Sequence, residues 1–241
     1  MKVLVVLPTY NERPNLETLA TRLLQHPFAN LLVVDDASPD GTGELADRLS
    51  QTTNGRVSVL HRTGPRGLGR AYIDGLRHAL TTDADAIGQM DGDLSHDPSY
   101  LPSLVESLAS HDLVIGSRYM RGVSVVNWSL RRIALSAFAN RYIRAVTGLR
   151  ASDVTSGYRL WRREALAKQP LDHAQASGYA FLTEMLYHAA RTGCRIGEVP
   201  IVFYGREEGD SKVSLKVLFE SLLTPWRLLL RSGRIPASPR P

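Results

Sequence analysis

Residues 85–98 read DAIGQMDGDLSHDP. An apolar approach runs into Asp91-Gly92-Asp93, a polar turn follows, and Pro98 opens a helix. A strand of an α/β sheet that ends in this way delivers its polar residues to the ligand edge. Two carboxylates two residues apart at a strand exit can meet one hard cation, Mg²⁺ or Mn²⁺. Such an ion keeps waters and takes further ligands from substrate phosphates. Gly92 lets the backbone approach a ligand closely. D-x-D alone occurs often by chance, and its plain reading is a solvated turn with a helix-capping Asp, so the neighbouring stretches decide its meaning.

The chain has 241 residues, enough for one large α/β domain or two small ones. Its 43% apolar and 22% charged residues are ordinary for a globular protein. The formal charge of +5 suggests an anionic partner such as a nucleotide, lipid phosphate, membrane surface or nucleic acid. A single cysteine, Cys194, excludes an internal disulfide and a Cys-based zinc site and reads as a packed thiol. The seven histidines lack metal-ligand spacing such as H-E-x-x-H. The N-terminus runs straight into an apolar strand with no signal-peptide pattern, and no run of about 18 uncharged apolar residues offers a membrane span. A cytosolic protein is expected, in which the sequon Asn127-Trp128-Ser129 would stay unmodified.

Outward from 85–98 the chain alternates. Strands are predicted at 3–7, 31–36, 57–60, 85–91 and 112–116. Helices are predicted at about 14–25, 42–49, 68–80 and 101–110. Five alternations over about 120 residues argue a mainly parallel sheet with helices on both faces. Polar clusters follow the strands directly: Tyr10-Asn11-Glu12, Asp35-Asp36, Arg62 to Arg66, and Asp91-Gly92-Asp93. Four clusters converging on one edge say more than any one alone. Beyond Arg118 the alternation stops. Helices are expected at 129–147, 178–191 and 212–230, with strand character near 158–161 and over 195–203. Residues 1–231 read as one domain, a nucleotide-side half (1–120) packed on an acceptor-side half (121–231), with 232–241 a disordered tail.

Asp35 and Asp36 suit a base edge or ribose hydroxyls, or else turn chemistry with Ser38 and Asp40. The loop 61–69 offers Arg62, Arg66 and backbone N–H groups to a diphosphate. It is neither a Walker loop nor G-x-G-x-x-G, because Tyr72 stands where the third glycine would be; an ATPase or dinucleotide enzyme is therefore discounted. Arg118 follows a strand and Arg131 and Arg132 open a helix, where guanidinium forks suit phosphate oxygens. Arg141 and Arg144 read as a solvated face. The 212–230 helix carries Trp226 among Leu, Lys and Arg, and is either interfacial to a membrane or a core helix kinked at Pro225.

The segments LPTYNE (7–12), VVDDASPDGT (33–42), GLGRA (67–71), MDGDLSHDP (90–98), GSRY (116–119), DVTSGYR (153–159) and EVPIVFYGREEGDSK (198–212) resemble the polyprenol-phosphate (dolichol-phosphate) mannose synthases. These are inverting glycosyltransferases of family 2, and the resemblance covers about residues 1–231. It implies a GT-A fold, a GDP-mannose donor, a polyprenyl phosphate acceptor, a divalent cation (Mg²⁺ or Mn²⁺) and no nucleic-acid partner. Carried over, Pro8, Tyr10 and Glu12 line the nucleotide, and Asp36, with Asp35 beside it, holds the guanosine end. Asp91 and Asp93 bind metal and diphosphate. Ser95 stands where the family often has a Gln ligand, and Gly92 replaces a commoner Ala. Arg118, Arg132 and Ser136 match acceptor-phosphate residues, and Arg206 and Lys212 a loop over the donor phosphates. Asp91, Asp93, Arg118 and Arg132 are the expected catalytic set. Some family members have C-terminal transmembrane helices. Here a peripheral protein on the cytoplasmic face of a membrane is expected, held by its last helix, by the basic residues of 131–144 or by a separate membrane subunit. A UDP-glucose-dependent lipid-phosphate glucosyltransferase is the alternative. A nucleotidyltransferase would need a glycine- and lysine-bearing loop after the first strand, which LPTYNE does not supply. An inactive binding homologue would not need the intact Asp91, Asp93, Arg132, Arg206 and Lys212.

Overall fold

Every residue of β1 (Val3–Thr9) is buried, as a strand covered on both faces must be. The computed structural model describes residues 1–171, 180–205 and 215–232. After β1 come α1 (Arg13–Leu24), β2 (Ala29–Asp35), α2 (Thr42–Thr52), β3 (Val57–His61), α3 (Leu68–Leu80), β4 (Ala86–Gln89), a 3₁₀ turn (Pro98–Tyr100), α4 (Leu101–Leu108) and β5 (Leu113–Ser117). The second half holds β6 (Val125–Val126), α5 (Leu130–Thr147), β7 (Arg159–Arg162), α6 (Arg163–Ala167), α7 (Ala180–Arg191), β8 (Ile196–Pro200), β9 (Phe203–Tyr204) and α8 (Leu215–Ser232).

The main sheet has the order β3-β2-β1-β4-β7-β5-β8. β1 pairs in parallel with β2, from Val3↔Ala29 to Thr9↔Asp35, and with β4. Alternate β1 residues serve opposite cores. Val3, Val5 and Leu7 pack with Leu16, Leu19 and Leu23 of α1 and with Leu101 and Leu104 of α4. Leu4 and Val6 share the other core with Tyr72 and Leu76 of α3, with Trp161, and with Phe181 and Met185 of α7, Tyr72 stacking on Phe181 (6.0 Å). Helices on both faces explain why the strands read as unbroken apolar runs. α3 lies close to the sheet: a Cβ on Gly75 would sit 2.5 Å from Val6 Cγ1 and 2.7 Å from Val34 Cγ2.

β7 departs from the parallel pattern. It runs antiparallel between β4 and β5, with Trp161 opposite both Ile87 and Leu113. Its leading loop, 153–158, therefore arrives at the edge where the parallel strands end. The arginines at its far end finish two helices whose last carbonyls lack intrahelical partners. Arg162 donates to Leu108 O (2.6 Å) and Ala109 O (3.1 Å) at the end of α4. Arg163, the next residue, donates to Leu80 O at the end of α3 and to Thr82 O (2.7 Å) just beyond it.

The strand expected over 195–203 is two strands. β5 ends at Ser117, opposite Pro200. Beyond it only the Ile201 N–H still bonds β5, to Ser117 O (3.0 Å), and β9 pairs with β6 instead. α8 continues through Pro225 to Ser232. Ser232, the first residue of the expected tail, ends α8, and 233–241 lie outside the described residues.

Candidate active site

The site forms at the carboxyl ends of β1, β2, β4 and β5 and the start of β7. Leaving β4, Met90 N–H still bonds Val6 O (3.2 Å), and Asp91-Gly92-Asp93 then turns away from the sheet. The Asp91 carboxylate, 18% exposed, is held by named neighbours. Its Oδ1 accepts the Tyr72 hydroxyl (2.9 Å), and its backbone N–H donates to His96 Nδ1 (3.2 Å). A Cβ on Gly157 would lie 3.1–3.4 Å from its Oδ1, Oδ2 and Cγ, so that glycine forms a cradle sized to the carboxylate. Burial pushes the Tyr72 phenol well above its usual range, and the neighbouring Asp91 charge adds to this, so it stays a donor. Burial lowers the His96 pKa against the pull of the Asp91 and Asp93 charges. A neutral His96 agrees with Nδ1 acting as acceptor, the assignment its hydrogen bond requires.

Asp93 Oδ1 accepts both the backbone N–H (3.1 Å) and the hydroxyl of Ser95 across a turn in which Leu94 has φ +60°. Ser95, a weaker neutral ligand at the position where the family often has Gln, lies beside Asp93. It is buried and donates its hydroxyl to the Asp93 carboxylate, which orients that carboxylate. Gly92 is buried, and an added Cβ would make ordinary contacts with Glu12 Cγ (3.4 Å) and Pro8 O (3.4 Å), so alanine would fit. The described residues contain no group of three or more His, Cys, Asp or Glu arranged for a metal. Two hard oxygen donors and a cradle matched to one of them fit a divalent cation that draws its remaining ligands from a diphosphate and water.

On the β1–β2 side, Pro8 is buried and Tyr10 and Glu12 are half-buried. Asp35 accepts the Thr9 hydroxyl (3.2 Å) and the Ser38 N–H (3.1 Å) and hydroxyl (2.6 Å). Asp36 accepts the Gly67 N–H (2.7 Å) and the Arg62 guanidinium. The expectation that Arg62 faces a diphosphate is overturned. It is buried, with its fork occupied by Asp36, by Asp74 (2.7 Å) and by Pro65 O (3.2 Å). Arg66 is exposed and lies over the Tyr10 ring at 4.7 Å, donating to the Tyr10 hydroxyl (2.8 Å) and Ala37 O (3.0 Å). Together they make a flat cationic–aromatic shelf beside Asp35 and Asp36.

Arg118 was expected to present its guanidinium to an acceptor phosphate. It is buried and engages Asp153 bidentately through Nε (2.6 Å) and Nη2 (2.7 Å), with Thr155 Oγ1 at 2.8 Å. Burial opposes the Asp153 charge, but the Arg118 field and hydrogen bonds outweigh it and hold the carboxyl below its usual range. Arg118 thus joins the end of β5 to the 153–158 loop. Asn140 of α5 grips the same loop, accepting the Val154 N–H (2.8 Å) and donating to Thr155 Oγ1 (3.3 Å). Arg132 is exposed, its guanidinium 4.1 Å from the Trp128 ring centroid, and Ser136 follows one turn along α5. The Trp128 Nε1 and the Tyr119 hydroxyl are buried with no partner among the described residues. The Trp128 ring meets Phe203 edge-on (5.4 Å), and His96 packs against both Phe203 and Tyr158 (5.3 Å each). Arg206 and Lys212 lie outside the described residues.

The structure therefore gathers Pro8, Tyr10, Glu12, Asp35, Asp36, Asp91, Gly92 and Asp93 at one edge, with Arg118, Arg132 and Ser136 on its β5–α5 side. Tyr72, Trp128, Asp153, Gly157 and Phe203 contribute contacts to which sequence reasoning gave no role. His96, Asp153 and Gly157 lay inside the motifs singled out, and Tyr72 showed only as a break in a glycine pattern.

The Glycosyl transferase family 2 profile matches residues 4–169. Undecaprenyl-phosphate mannosyltransferase of Micrococcus luteus is 44% identical over 234 residues, covering 96% of this chain and 96% of that protein. Polyprenol monophosphomannose synthase of Mycolicibacterium smegmatis is 45% identical over 215 residues, covering 88% of this chain and 81% of that protein. In fold, the chain is similar to glucosyl-3-phosphoglycerate synthase from Mycobacterium tuberculosis in complex with Mn²⁺, UDP and phosphoglyceric acid, with TM-score 0.64 and 23% identity over 98% of this chain and 80% of that one. It is also similar to mannosyltransferase PcManGT from Pyrobaculum calidifontis in complex with GDP-Man and Mn²⁺, with TM-score 0.57 and 21% identity over 96% of this chain and 75% of that one. A mainly parallel sheet flanked by helices, together with the match to the glycosyl transferase family 2 profile, gives the class as a GT-A glycosyltransferase. The expected fold class stands, with β7 as its antiparallel member. The chain belongs to glycosyl transferase family 2, within which its curated relatives are polyprenol-phosphate mannose synthases.

Proposed function

We propose that this enzyme transfers mannose from GDP-mannose to a polyprenyl monophosphate with inversion, giving polyprenyl phosphate β-D-mannose and GDP. The observation that carries this reading is the 44% identity to an undecaprenyl-phosphate mannosyltransferase along 96% of both chains. The relatives' names do not favour the UDP-glucose alternative.

The bond from mannose C1 to the GDP β-phosphate oxygen breaks, and C1 bonds to an oxygen of the lipid phosphate. That nucleophile is already an anion at neutral pH, so no strong general base is required. The task left to the protein is to place two anions together and hold their charge. Asp91 and Asp93 would hold a divalent cation, which when bound would stabilise the charge of the departing diphosphate. Pro8, Tyr10 and Glu12 line the nucleotide, and Asp35 and Asp36, beside the Tyr10–Arg66 shelf, meet the guanosine end. Arg132 and Ser136 receive the acceptor phosphate in a corner that also holds the orphan donors of Trp128 and Tyr119. Arg118 supports that corner while neutralised by Asp153. Arg206 and Lys212 act on the donor phosphates.

The acceptor brings a membrane with it. Leu135 and Phe138 of α5 and Leu222, Leu223 and Trp226 of α8 are exposed, and Leu130 and Leu230 are each 84% exposed. Trp226 Nε1 donates to the Tyr142 hydroxyl, which donates to Leu222 O (both 2.8 Å), so the two helices present one face. Arg131, Arg141, Arg144, Arg227 and Arg231 are exposed on the same helices. Such a face suits the surface of an anionic bilayer. No helix among the described residues is long and apolar enough to cross a membrane.

The test is transfer of labelled mannose from GDP-mannose to a polyprenyl phosphate in vesicles. Loss with EDTA and return with Mn²⁺ or Mg²⁺ are expected, and a preference for UDP-glucose would overturn the donor assignment. Leu135→Glu with Trp226→Glu should abolish flotation with anionic vesicles; unchanged flotation would remove this face from consideration. Trp128→Leu should raise KM for the lipid acceptor several-fold, in line with about 0.5–1 kcal/mol for an exposed cation–π contact, and leave KM for GDP-mannose alone.

A further inference from the structure

We propose that Gly157, Tyr72 and His96 are positioning residues that jointly fix the Asp91 carboxylate for cation binding, an inference that rests on reading Asp91 and Asp93 as the cation clamp. The three come from different parts of the fold. Tyr72 lies in α3, His96 in the turn after β4, and Gly157 in the loop that enters β7.

Each constrains a different part of Asp91. The Tyr72 hydroxyl, on a fully buried ring, donates to Oδ1. An ionised carboxylate has about four acceptor positions, so one such bond orients the group and leaves Oδ2 and part of Oδ1 available. His96 Nδ1 accepts the Asp91 N–H and fixes the main chain. Its ring is packed against Tyr158 and Phe203, so it has little freedom. Tyr158 follows Gly157 directly, so one loop supports both His96 and the Asp91 carboxylate.

Gly157 acts by having no side chain. Its φ is not in the left-handed region, so the backbone alone does not demand glycine there. What demands it is space: a Cβ would face Oδ1 at 3.1 Å, Oδ2 at 3.2 Å and Cγ at 3.4 Å. A methyl group would press on the whole planar group, not on one flexible tip. The carboxylate could yield only by disturbing its bond to Tyr72. Ligand geometry tolerates little of this, because productive sites are held within about 0.5 Å.

The experiment titrates Mn²⁺ into the full chain with GDP present, following free Mn²⁺ by electron paramagnetic resonance. Gly157→Ala is expected to weaken Mn²⁺ binding about 10-fold to 100-fold, the usual cost of losing a group that orients a metal ligand. Tyr72→Phe removes one oxygen atom and should weaken it in the same direction, covering the case in which Gly157→Ala does not fold. His96→Asn, whose Oδ1 can replace Nδ1 as acceptor, should bind Mn²⁺ better than His96→Gln. Excess Mn²⁺ should restore transfer in folded variants, which a general structural defect would not allow. Mn²⁺ affinity indistinguishable from wild type in both Gly157→Ala and Tyr72→Phe overturns the proposal. Mn²⁺ binding absent from the wild-type protein itself overturns the clamp reading, and this proposal with it.

Discussion

Replacing Asp91 by alanine is expected to lower kcat for mannosyl transfer by about 10²–10³-fold, the scale for removing a principal stabiliser of developing charge. Asp91 and Asp93 would hold the same ion, so the double substitution should cost little more than either single one. The folded state should survive. Asp91 is partly exposed, and the main loss is the partner of the buried Tyr72 hydroxyl, worth about 1–3 kcal/mol. Transfer rates measured beside thermal unfolding separate the two effects. An Asp91→Ala protein that transfers mannose at the wild-type rate would end the proposed role of this carboxylate.

The largest stability effect is expected at Asp153. Removing its carboxylate leaves the buried Arg118 guanidinium without its counter-charge, and breaking a buried pair from one side typically costs about 3–5 kcal/mol. Against a usual total of about 5–15 kcal/mol, that is a large share. Urea unfolding of Asp153→Ala measures it, and a midpoint equal to wild type would show that the pair does not support the fold. The pH dependence has a defined sign. Asp153 has a lower carboxyl pKa folded than unfolded, so its stabilisation is fully present above the unfolded value, near pH 4, and is lost as pH falls through the folded value. The wild-type protein should therefore lose more stability on acidification below about pH 4 than Asp153→Ala does. Activity should fall as well, because the loop Asp153 anchors carries Gly157.

The parallel part of the fold was readable because its physics is local. Buried strands such as Val3–Thr9 must be apolar on both sides, and Leu68–Leu80 begins after a glycine-rich loop and keeps helical periodicity. Polar residues directly after strands mark the ligand edge, which made Asp35, Asp36, Asp91 and Asp93 visible. The direction of Arg159–Arg162 was not readable, because four residues carry no sign of which neighbours they will pair with. Arg62 was misread for a related reason. A guanidinium after a strand looks the same whether it awaits a phosphate or is already held by carboxylates 26 and 12 residues away. The partner of Arg118, Asp153, lies 35 residues on and was equally out of reach of the sequence pattern. Ser95 could be placed beside Asp93 but not given a role, since bonding the metal and bonding Asp93 require the same residue.

The antiparallel insertion also bears on the time course of synthesis. β4 and β5 are not paired with each other and meet only through β7. When a ribosome has released the first 120 residues, β5 has no partner and β4 offers an open edge, the kind of surface that invites pairing with another chain. Elongation proceeds at about 5–20 residues per second, so that edge stays open for several seconds before Arg159–Arg162 can close it. Overproduction should therefore be most prone to aggregation in this interval, and slower growth temperatures or chaperone capacity should act on the nascent chain more than on the finished enzyme.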